Sequence, residues 1–141
     1  VIGPRQKGRY GMVVPRFVSQ ALSNEPITVY GDGSQRRSFT YVGDVVPALV
    51  KLMENDQANG QIVNIGHKKD ISVFELAEMV KQMTASSSEI KTISFEEAYS
   101  ANFEDMQRRM PDISKINNLI GYEPKLELSE MLEKIIEHFQ A

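Results

Sequence analysis

The sequence feature that most constrains the fold is the run Gly31-Asp32-Gly33-Ser34-Gln35-Arg36-Arg37-Ser38-Phe39-Thr40-Tyr41-Val42-Gly43-Asp44-Val45. Its first two glycines tolerate positive φ, and together with Asp32 they predict a tight turn. Aromatic residues at alternate positions predict a strand over 38–42, and Asp44 stands where a helix cap is favoured. The run therefore predicts a turn, a strand and a helix start, which together would hold Arg37 rigidly at the edge of a sheet.

Short strands alternate with amphipathic helices along the whole chain. Apolar residues at helical spacing predict helices over 12–24, 44–54, 73–83, 112–120 and 128–140. Short apolar runs predict strands over 27–30, 61–66 and 90–95. This alternation predicts one domain over 1–141 with an α/β fold, or α+β in isolation, in which a small sheet packs with four to five helices.

Several segments carry more particular expectations. The helix over 44–54 is apolar on most sides, which predicts deep burial. Ser72 and Glu75 have the spacing of a capping box. Asp112 is predicted to cap the helix that follows it. The acidic residues 96–108 have weak periodicity and predict an irregular segment or a loose helix.

The composition is that of an ordinary soluble globular protein, with 41% apolar and 25% charged residues. A net charge of −3 gives no reason to expect binding to nucleic acid or to anionic membranes. The absence of cysteine excludes disulfides and thiolate metal sites, and two separated histidines argue against a histidine metal site. Carboxylates remain open as ligands of a hard cation. No signal peptide or membrane span is predicted, so we expect a cytoplasmic protein.

Further motifs frame the opening run. They are Val1-Ile2-Gly3-Pro4-Arg5-Gln6, Pro26-Ile27-Thr28-Val29-Tyr30, Val63-Asn64-Ile65-Gly66 and Gly121-Tyr122-Glu123-Pro124. In this order the motifs resemble the C-terminal part of the extended short-chain dehydrogenase/reductase family, whose NAD-dependent members epimerise, dehydrate or decarboxylate nucleotide sugars. The resemblance covers nearly the whole chain, including the last helix, in which Met131 replaces the usual glycine.

The resemblance implies a binding site for a nucleotide sugar. Arg37 takes the position of the arginine that contacts the diphosphate, and Arg109, in preference to Arg108, takes that of a second one. A guanidinium suits this role because it binds phosphate in a bidentate fork and stays charged at any usable pH. Ile27 and Tyr30 belong to the stretch that packs around the pyrimidine base in the family.

Each candidate also has a plainer interpretation. Arg37 could be a solvated residue at a strand end, and the pair Arg108-Arg109 could be exposed in an acidic loop. Tyr30 could belong to the core, as we expect for Phe17. Arg36 stands where the family varies, so we interpret it as a surface residue.

The segment after Gly3 resembles the one that passes the nicotinamide end of the cofactor in this family. Arg5 is therefore a candidate cofactor-binding residue. Lys7 and Arg9 are weaker candidates for the same cleft.

Other polar residues are expected to have structural roles. We interpret Asp44 as a helix cap, Asn64 as a residue that organises a loop, and His67 as a surface histidine. No Ser/His/Asp or Cys/His arrangement can be assembled, so no catalytic residue is assigned.

Two motifs on which the family's chemistry depends are missing from the sequence. A G-x-G-x-x-G turn would hold the dinucleotide, and a Tyr-x-x-x-Lys pair would serve in hydride and proton transfer. We therefore expect the N-terminal NAD-binding Rossmann half to be absent. NAD is expected in a longer parent protein, without tight binding to this segment, and the segment alone is predicted to have no turnover.

The resemblance implies that the chain binds a nucleotide sugar, above all a UDP-sugar, in an enzyme that oxidises the sugar transiently. UDP-glucuronate decarboxylase-like and UDP-glucose 4-epimerase-like members are the most similar, and the former are favoured. Two alternatives stay open: a stand-alone, non-catalytic nucleotide-sugar-binding module, and a degenerate fragment that only associates. Uncovered strand edges and helix faces also predict homo-oligomers, or partial disorder over 1–12 and 96–110.

Overall fold

The computed structural model describes residues 1–7, 12–98 and 106–141. Its helices are α1 (Val13–Leu22), α2 (Val42–Met53), α3 (Val73–Met83), α4 (Phe95–Ala98), α5 (Ser114–Ile120) and α6 (Leu128–Gln140), with a 3-10 turn at Asp56–Ala58. Its strands are β1 (Ile27–Tyr30), β2 (Arg36–Arg37), β3 (Ile71–Ser72), β4 (Ile90–Ile93) and β5 (Arg108–Arg109). The mixed α/β class predicted from the sequence is confirmed.

The strands form two small sheets. In the first sheet β1 and β4 pair in parallel. In the second, β2 lies between β3, which is antiparallel to it, and β5, which is parallel to it. Arg37 therefore stands opposite Arg109, and Arg36 stands opposite Arg108.

The main core lies between the β1–β4 sheet and the helices α1, α3 and α6. Each of these helices has apolar residues three and four positions apart, so that one face can be buried. Phe17 on α1 and Leu132 on α6 are fully buried, as the predicted helical stripes require. Complete burial of one such side chain contributes about 1.5–3 kcal/mol. The α1, α3 and α6 predictions are therefore confirmed.

Reciprocal hydrogen bonds begin two of the helices. The Ser72 Oγ accepts from the Glu75 N–H at 3.1 Å, and the Glu75 carboxylate accepts from the Ser72 N–H at 2.9 Å, which confirms the predicted capping box. Ser94 and Glu97 make the same pair of bonds at 3.2 and 3.3 Å. Because this second box starts α4, the strand predicted over 90–95 ends early.

Residues 38–42 do not form the predicted strand. Within the described residues this segment makes one isolated parallel bridge, between Tyr41 and Ile2, and α2 already begins at its end. The helix cap is Tyr41, so the prediction that Asp44 is the cap is wrong. Asp44 lies in the first turn, where its carboxylate accepts from the Lys125 N–H at 3.1 Å.

The predicted burial of α2 and the predicted strand over 61–66 are also wrong. α2 buries Ala48, whereas Val46, Leu49 and Met53 are 54%, 47% and 86% exposed. In the part of the chain that the structure describes, residues 61–66 form no strand. A helix that is apolar on all sides is buried only if other elements pack on more than one of its faces. Among the described residues, α5 packs against one face of α2, so the other apolar side chains of α2 stay exposed.

Local backbone signals bound α5. The Asp112 carboxylate accepts from the Ser114 N–H at 2.8 Å, although the cap position is one residue later. Asp112 thus supports the helix start without being its cap. Gly121, with a φ of 66°, ends the helix in the left-handed conformation that glycine adopts most easily.

Some predictions concern residues outside the described ranges. Arg9 lies within 8–11, and most of the segment predicted to be irregular over 96–108 lies within 99–105. The described ends of that segment are α4 and β5.

Candidate functional site

A cavity of about 310 Å³ lies between the first residues of the chain, α1 and β2. Arg37, Arg109 and Tyr30 all line it, so three of the five predicted ligand contacts meet at one place. The other lining residues are Val1, Ile2, Gln6, Met12, Val13, Val14, Pro15, Arg16, Gln35, Ser38, Phe39, Val73 and Phe95.

The two cavity arginines meet because β2 and β5 pair in parallel, with Arg37 opposite Arg109. Neighbouring strands lie about 4.8 Å apart. Arg37 Nη1 donates to the backbone oxygens of Arg36 at 2.8 Å and Met106 at 2.7 Å, which directs its side chain. Guanidinium groups on neighbouring strands can each bind oxygens of the same anion. The arrangement therefore suits a ligand with more than one negative charge.

The arginines that precede these two make contacts elsewhere. Arg36 Nε donates to Asp70 Oδ1 at 3.0 Å, and its Nη1 donates to Glu75 Oε2 at 3.3 Å. Arg108 Nε donates to the other carboxylate oxygen of Asp70 at 2.5 Å. The hydrogen bonds from Arg108 and then Arg36 hold the pKa of Asp70 below its usual value. Arg36 is thus a half-buried structural residue, and its interpretation as a surface residue is wrong.

Tyr30 forms a wall of the cavity together with Arg16. The Arg16 Cζ lies 3.8 Å from the centroid of the Tyr30 ring, a cation–π contact, and Arg16 Nη2 donates to the Thr28 carbonyl at 3.1 Å. Gln20 holds the same strand, since its side chain accepts from the Thr28 N–H at 3.1 Å. Tyr30 is half-buried, so its ring is held in place while it remains accessible from the cavity.

The other two predicted contacts do not reach this cavity. Ile27 is fully buried in the main core. Arg5 is exposed and has a φ of 68°, in a turn that the Gln6 N–H closes by donating to the Gly3 carbonyl at 3.3 Å. Proline before Arg5 favours such a turn. Lys7 is exposed and also lies outside the cavity lining.

Arg16, Gln6 and Phe95 are among the cavity residues that were not predicted from the sequence. Gln6 Nε2 donates to the Val1 carbonyl at 3.2 Å, while its Oε1 is buried with no hydrogen-bond partner among the described residues. Phe95 packs on Gly31, where a Cβ atom would lie 2.4 Å from the ring. The one available signal was Gly31 itself, because a glycine can mark a close approach.

A second cavity, of about 390 Å³, lies beside the Arg36 side of β2. His67 lines it and is 7% exposed, so the interpretation of this residue as a surface histidine is wrong. Its Nδ1 accepts from the Lys69 N–H at 3.1 Å. The cavity has an apolar base and a charged rim, lined by Arg36, Arg37, Phe39, Lys69, Asp70, Ile71, Glu75, Met79, Glu127, Leu128 and Met131.

Acidic side chains of the described residues pair with cations instead of gathering at a metal site. Lys68 contacts Glu123 at 2.8 Å, and Lys69 contacts Glu127 at 2.7 Å. No group of three His, Asp or Glu side chains within 1–7, 12–98 and 106–141 is placed to hold a metal ion. Over the same ranges, none of the helices has the length and apolar character needed to cross a membrane.

Comparison with known proteins shows which family the chain resembles. The profile of the NAD dependent epimerase/dehydratase family matches residues 1–66. Over 141 residues the chain is 39% identical to UDP-N-acetyl-alpha-D-glucosaminuronate decarboxylase from Bacillus cytotoxicus, a match that covers 99% of the chain and 44% of that protein. The chain is similar to members of the NAD-dependent epimerase/dehydratase family. UDP-glucuronic acid decarboxylase 1 from Xenopus tropicalis is 42% identical over 138 residues, 98% of the chain and 31% of that relative.

Solved structures of the epimerase/dehydratase family share the fold. UDP-glucuronic acid 4-epimerase from Bacillus cereus, in complex with NAD, gives a TM-score of 0.81 at 29% identity, covering 98% of this chain and 41% of that one. UDP-glucose 4-epimerase from Thermotoga maritima, with UDP-glucose, gives a TM-score of 0.86 at 30% identity. That match covers 99% of this chain and 43% of the epimerase chain. The chain matches the C-terminal portion of these Rossmann-type structures and spans less than half the length of the relatives.

Proposed function

We propose that the chain is the nucleotide-sugar-binding part of an NAD-dependent epimerase, dehydratase or decarboxylase, and that the cavity at Arg37 and Arg109 binds a UDP-sugar. The observation that carries the proposal is the β2–β5 register, which sets the two arginines side by side at one cavity. The relatives support a UDP-sugar, because the names of two similar decarboxylases and an epimerase all refer to sugars linked to UDP.

The two arginines match the charge and the shape of a diphosphate. Each guanidinium can make two parallel hydrogen bonds to phosphate oxygens, and such charge-assisted bonds are about twice as strong as neutral ones. An arginine side chain is suited to this role by its planar, rigid set of donors.

Tyr30 is proposed to receive the base. One side of its ring is held by Arg16, and Gln35 Nε2 donates to the Tyr30 carbonyl at 2.9 Å, so both the ring and its backbone are fixed. Nucleobases stack on aromatic rings and on guanidinium planes, with about 1–3 kcal/mol per stacked base. A pre-positioned ring reduces the entropy that binding has to overcome. Ile27, which is buried in the core, is assigned no side-chain contact with the ligand.

NAD is proposed for the whole protein, where it would accept a hydride from the sugar and later return it. Arg5, the cofactor candidate, is exposed beside a turn and lies outside the lining of the first cavity. We therefore assign no catalytic step to residues of this chain, and we propose that residues 1–141 form a substrate-binding domain.

Titration calorimetry of the chain with UDP tests the proposal. We expect Arg37→Ala and Arg109→Ala each to weaken binding by about 1.5–3 kcal/mol, because each removes a charged hydrogen-bonding group. Lys134→Ala removes the same charge from an exposed position on α6 outside the cavity and serves as the control. A chain that does not bind UDP, or arginine variants that bind it as the wild type does, would contradict the proposal.

A further inference from the structure

We propose that Asp70 is a positioning residue for the diphosphate site: it ties β2 to β5 and thereby fixes Arg37 and Arg109 side by side. This inference rests on the function proposed above. The group formed by Arg36, Asp70 and Arg108 is called the Asp70 clasp below.

The Asp70 clasp joins two strands through one carboxylate. Oδ1 of Asp70 accepts from Arg36 Nε on β2 at 3.0 Å, and Oδ2 accepts from Arg108 Nε on β5 at 2.5 Å. Arg36 Nη2 adds a bond to the Asp70 carbonyl at 3.2 Å. The Asp70 side chain is only 8% exposed. The carboxylate is therefore largely shielded from water, whereas the Arg36 and Arg108 side chains are 39% and 61% exposed. Hydrogen bonds to a shielded charge are stronger than those in water.

The clasp affects the first cavity because it fixes the pairing of β2 with β5, which also sets the positions of Arg37 and Arg109. Successive side chains of a strand point to opposite faces. Arg36 pairs with Arg108 in the same register that pairs Arg37 with Arg109, so the clasped pair and the cavity pair are fixed together. Arg36 and Asp70 line the second cavity and are not among the residues that line the first. Arg37 lines both cavities and Arg109 only the first, while the Asp70 carboxylate is held in its bonds to Arg36 and Arg108.

Backbone pairing alone gives this register little support. β2 and β5 have two residues each, whereas strands in globular proteins usually have about 3–10 residues. The described pairing includes one bond from the Arg36 N–H to the Gln107 carbonyl at 2.7 Å. The pairing also places Arg36 beside Arg108, and the repulsion between these like charges opposes it. The carboxylate of Asp70, which contacts both strands, offsets this repulsion.

Asp70→Asn tests the inference, with UDP and uridine as the two ligands in titration calorimetry. The amide keeps the shape of the side chain but loses its charge and one of its two acceptor atoms. We expect the affinity for UDP to fall about tenfold, and that for uridine, which has no phosphate, to change by less than about twofold. Glu75→Gln is the matched control because Glu75 contacts Arg36 but has no bond to β5 among the described contacts.

Two outcomes would overturn the inference: an unchanged affinity for UDP, or an equal loss for UDP and uridine, as general destabilisation would cause. Arg108→Leu is the second variant in case Asp70→Asn does not fold. Arg108 is 61% exposed and does not line the first cavity, so the variant should fold and should lose affinity for UDP alone. Unchanged binding of UDP by this variant would also contradict the role of the clasp.

Hydrogen exchange separates a failure of the clasp from a failure of the proposed function. The Arg36 N–H, which bonds to Gln107 across the two strands, should exchange faster in Asp70→Asn but not in Glu75→Gln, whether or not UDP binds. Faster exchange in a protein that does not bind UDP would support the clasp and contradict the UDP site. Unchanged exchange would overturn the clasp itself.

Discussion

Arg37 and Arg109 stand opposite each other in the parallel pairing of β2 with β5, and both line the same cavity. A long stretch of chain separates them in the sequence, and each lies on a strand of only two residues. Their proximity therefore depends on the pairing of two short strands. Because both side chains would bind one diphosphate, their contributions to binding should depend on each other.

We expect Arg37→Ala and Arg109→Ala to be coupled in their effect on UDP binding. The loss in the double variant should fall short of the sum of the single losses by about 0.5–3 kcal/mol, as for residues that share a partner. Calorimetry on the wild type, both single variants and the double variant measures this coupling energy. Strict additivity would mean that the two arginines do not share a ligand.

Gly33→Ala is expected to destabilise the protein more than Gly60→Ala. Both glycines have positive φ, 76° and 70°, so each substitution costs about 1–2 kcal/mol in backbone strain. At Gly33 the new Cβ would also lie 2.8 Å from Val29 Cγ1 and 2.9 Å from Phe74 Cβ, whereas Gly60 has no atom of the described residues within 4 Å. Urea unfolding of both variants measures the difference. Equal losses would show that the close approach at Gly33 relaxes without cost.

The free energy of unfolding is expected to decrease in acid. Hydrogen bonds from Arg108 and from Lys69 hold the pKa values of Asp70 and Glu127, respectively, below their usual values in the folded protein. The stabilisation is therefore complete above the ordinary carboxyl pKa of about 4 and is lost as the pH falls through the lower folded values. Urea midpoints between about pH 6 and pH 3 measure it. Glu127→Gln should show a smaller decrease, and midpoints independent of pH would contradict the prediction.

Tyr122 is expected to cause a loss of stability in alkali. Burial, with a smaller effect from Asp44, raises the pKa of Tyr122 to about 12, and its hydroxyl donates to the Gly66 carbonyl at 3.0 Å. Because the unfolded value is about 10, its contribution is intact below about pH 10 and is lost as the pH rises towards the folded value. Tyr122→Phe should cost about 0.5–1.5 kcal/mol at neutral pH and should reduce the alkaline loss. Urea unfolding at neutral pH and above about pH 10 tests this prediction. It would be contradicted if the variant lost as much stability in alkali as the wild type does.

The exposed face of α2 is expected to drive self-association of the isolated chain. Val46, Leu49 and Met53 are spaced three and four residues apart and are all exposed, so they form one apolar stripe. Substituting Val46 and Met53 by lysine should shift sedimentation towards the monomer with little effect on the urea midpoint. Phe139→Lys, at an exposed apolar position on α6, is the control. A wild-type chain that stays monomeric over a wide concentration range would contradict the predicted homo-oligomer.

Local patterns allowed much of the helical structure to be predicted. α1 and α6 follow from apolar residues at helical spacing, and the Ser72–Glu75 capping box can be identified from two residues. Strands were harder to predict because a strand depends on a partner that can be far away in the sequence. Residues 38–42 and 61–66 have the composition of strands, yet the described residues give the first one bridge and the second none.

The candidate site also combines features that the sequence predicts with features that only the tertiary structure shows. The prediction that Arg37 and Arg109 bind phosphate came from the motifs around them, since a guanidinium can bind phosphate in any fold. The tertiary structure alone decided that Tyr30 has Arg16 behind its ring and that Ile27 is buried away from the cavity.

The sequence by itself therefore determined most of the helices and the chemical types of the candidate binding residues, because both depend on side chains that are close along the chain. Only the tertiary structure decided that β2 pairs with β5. The same is true of the Asp70 carboxylate, which contacts both strands beside the cavity arginines. Such contacts join distant segments, and their energy depends on a geometry that no local pattern encodes.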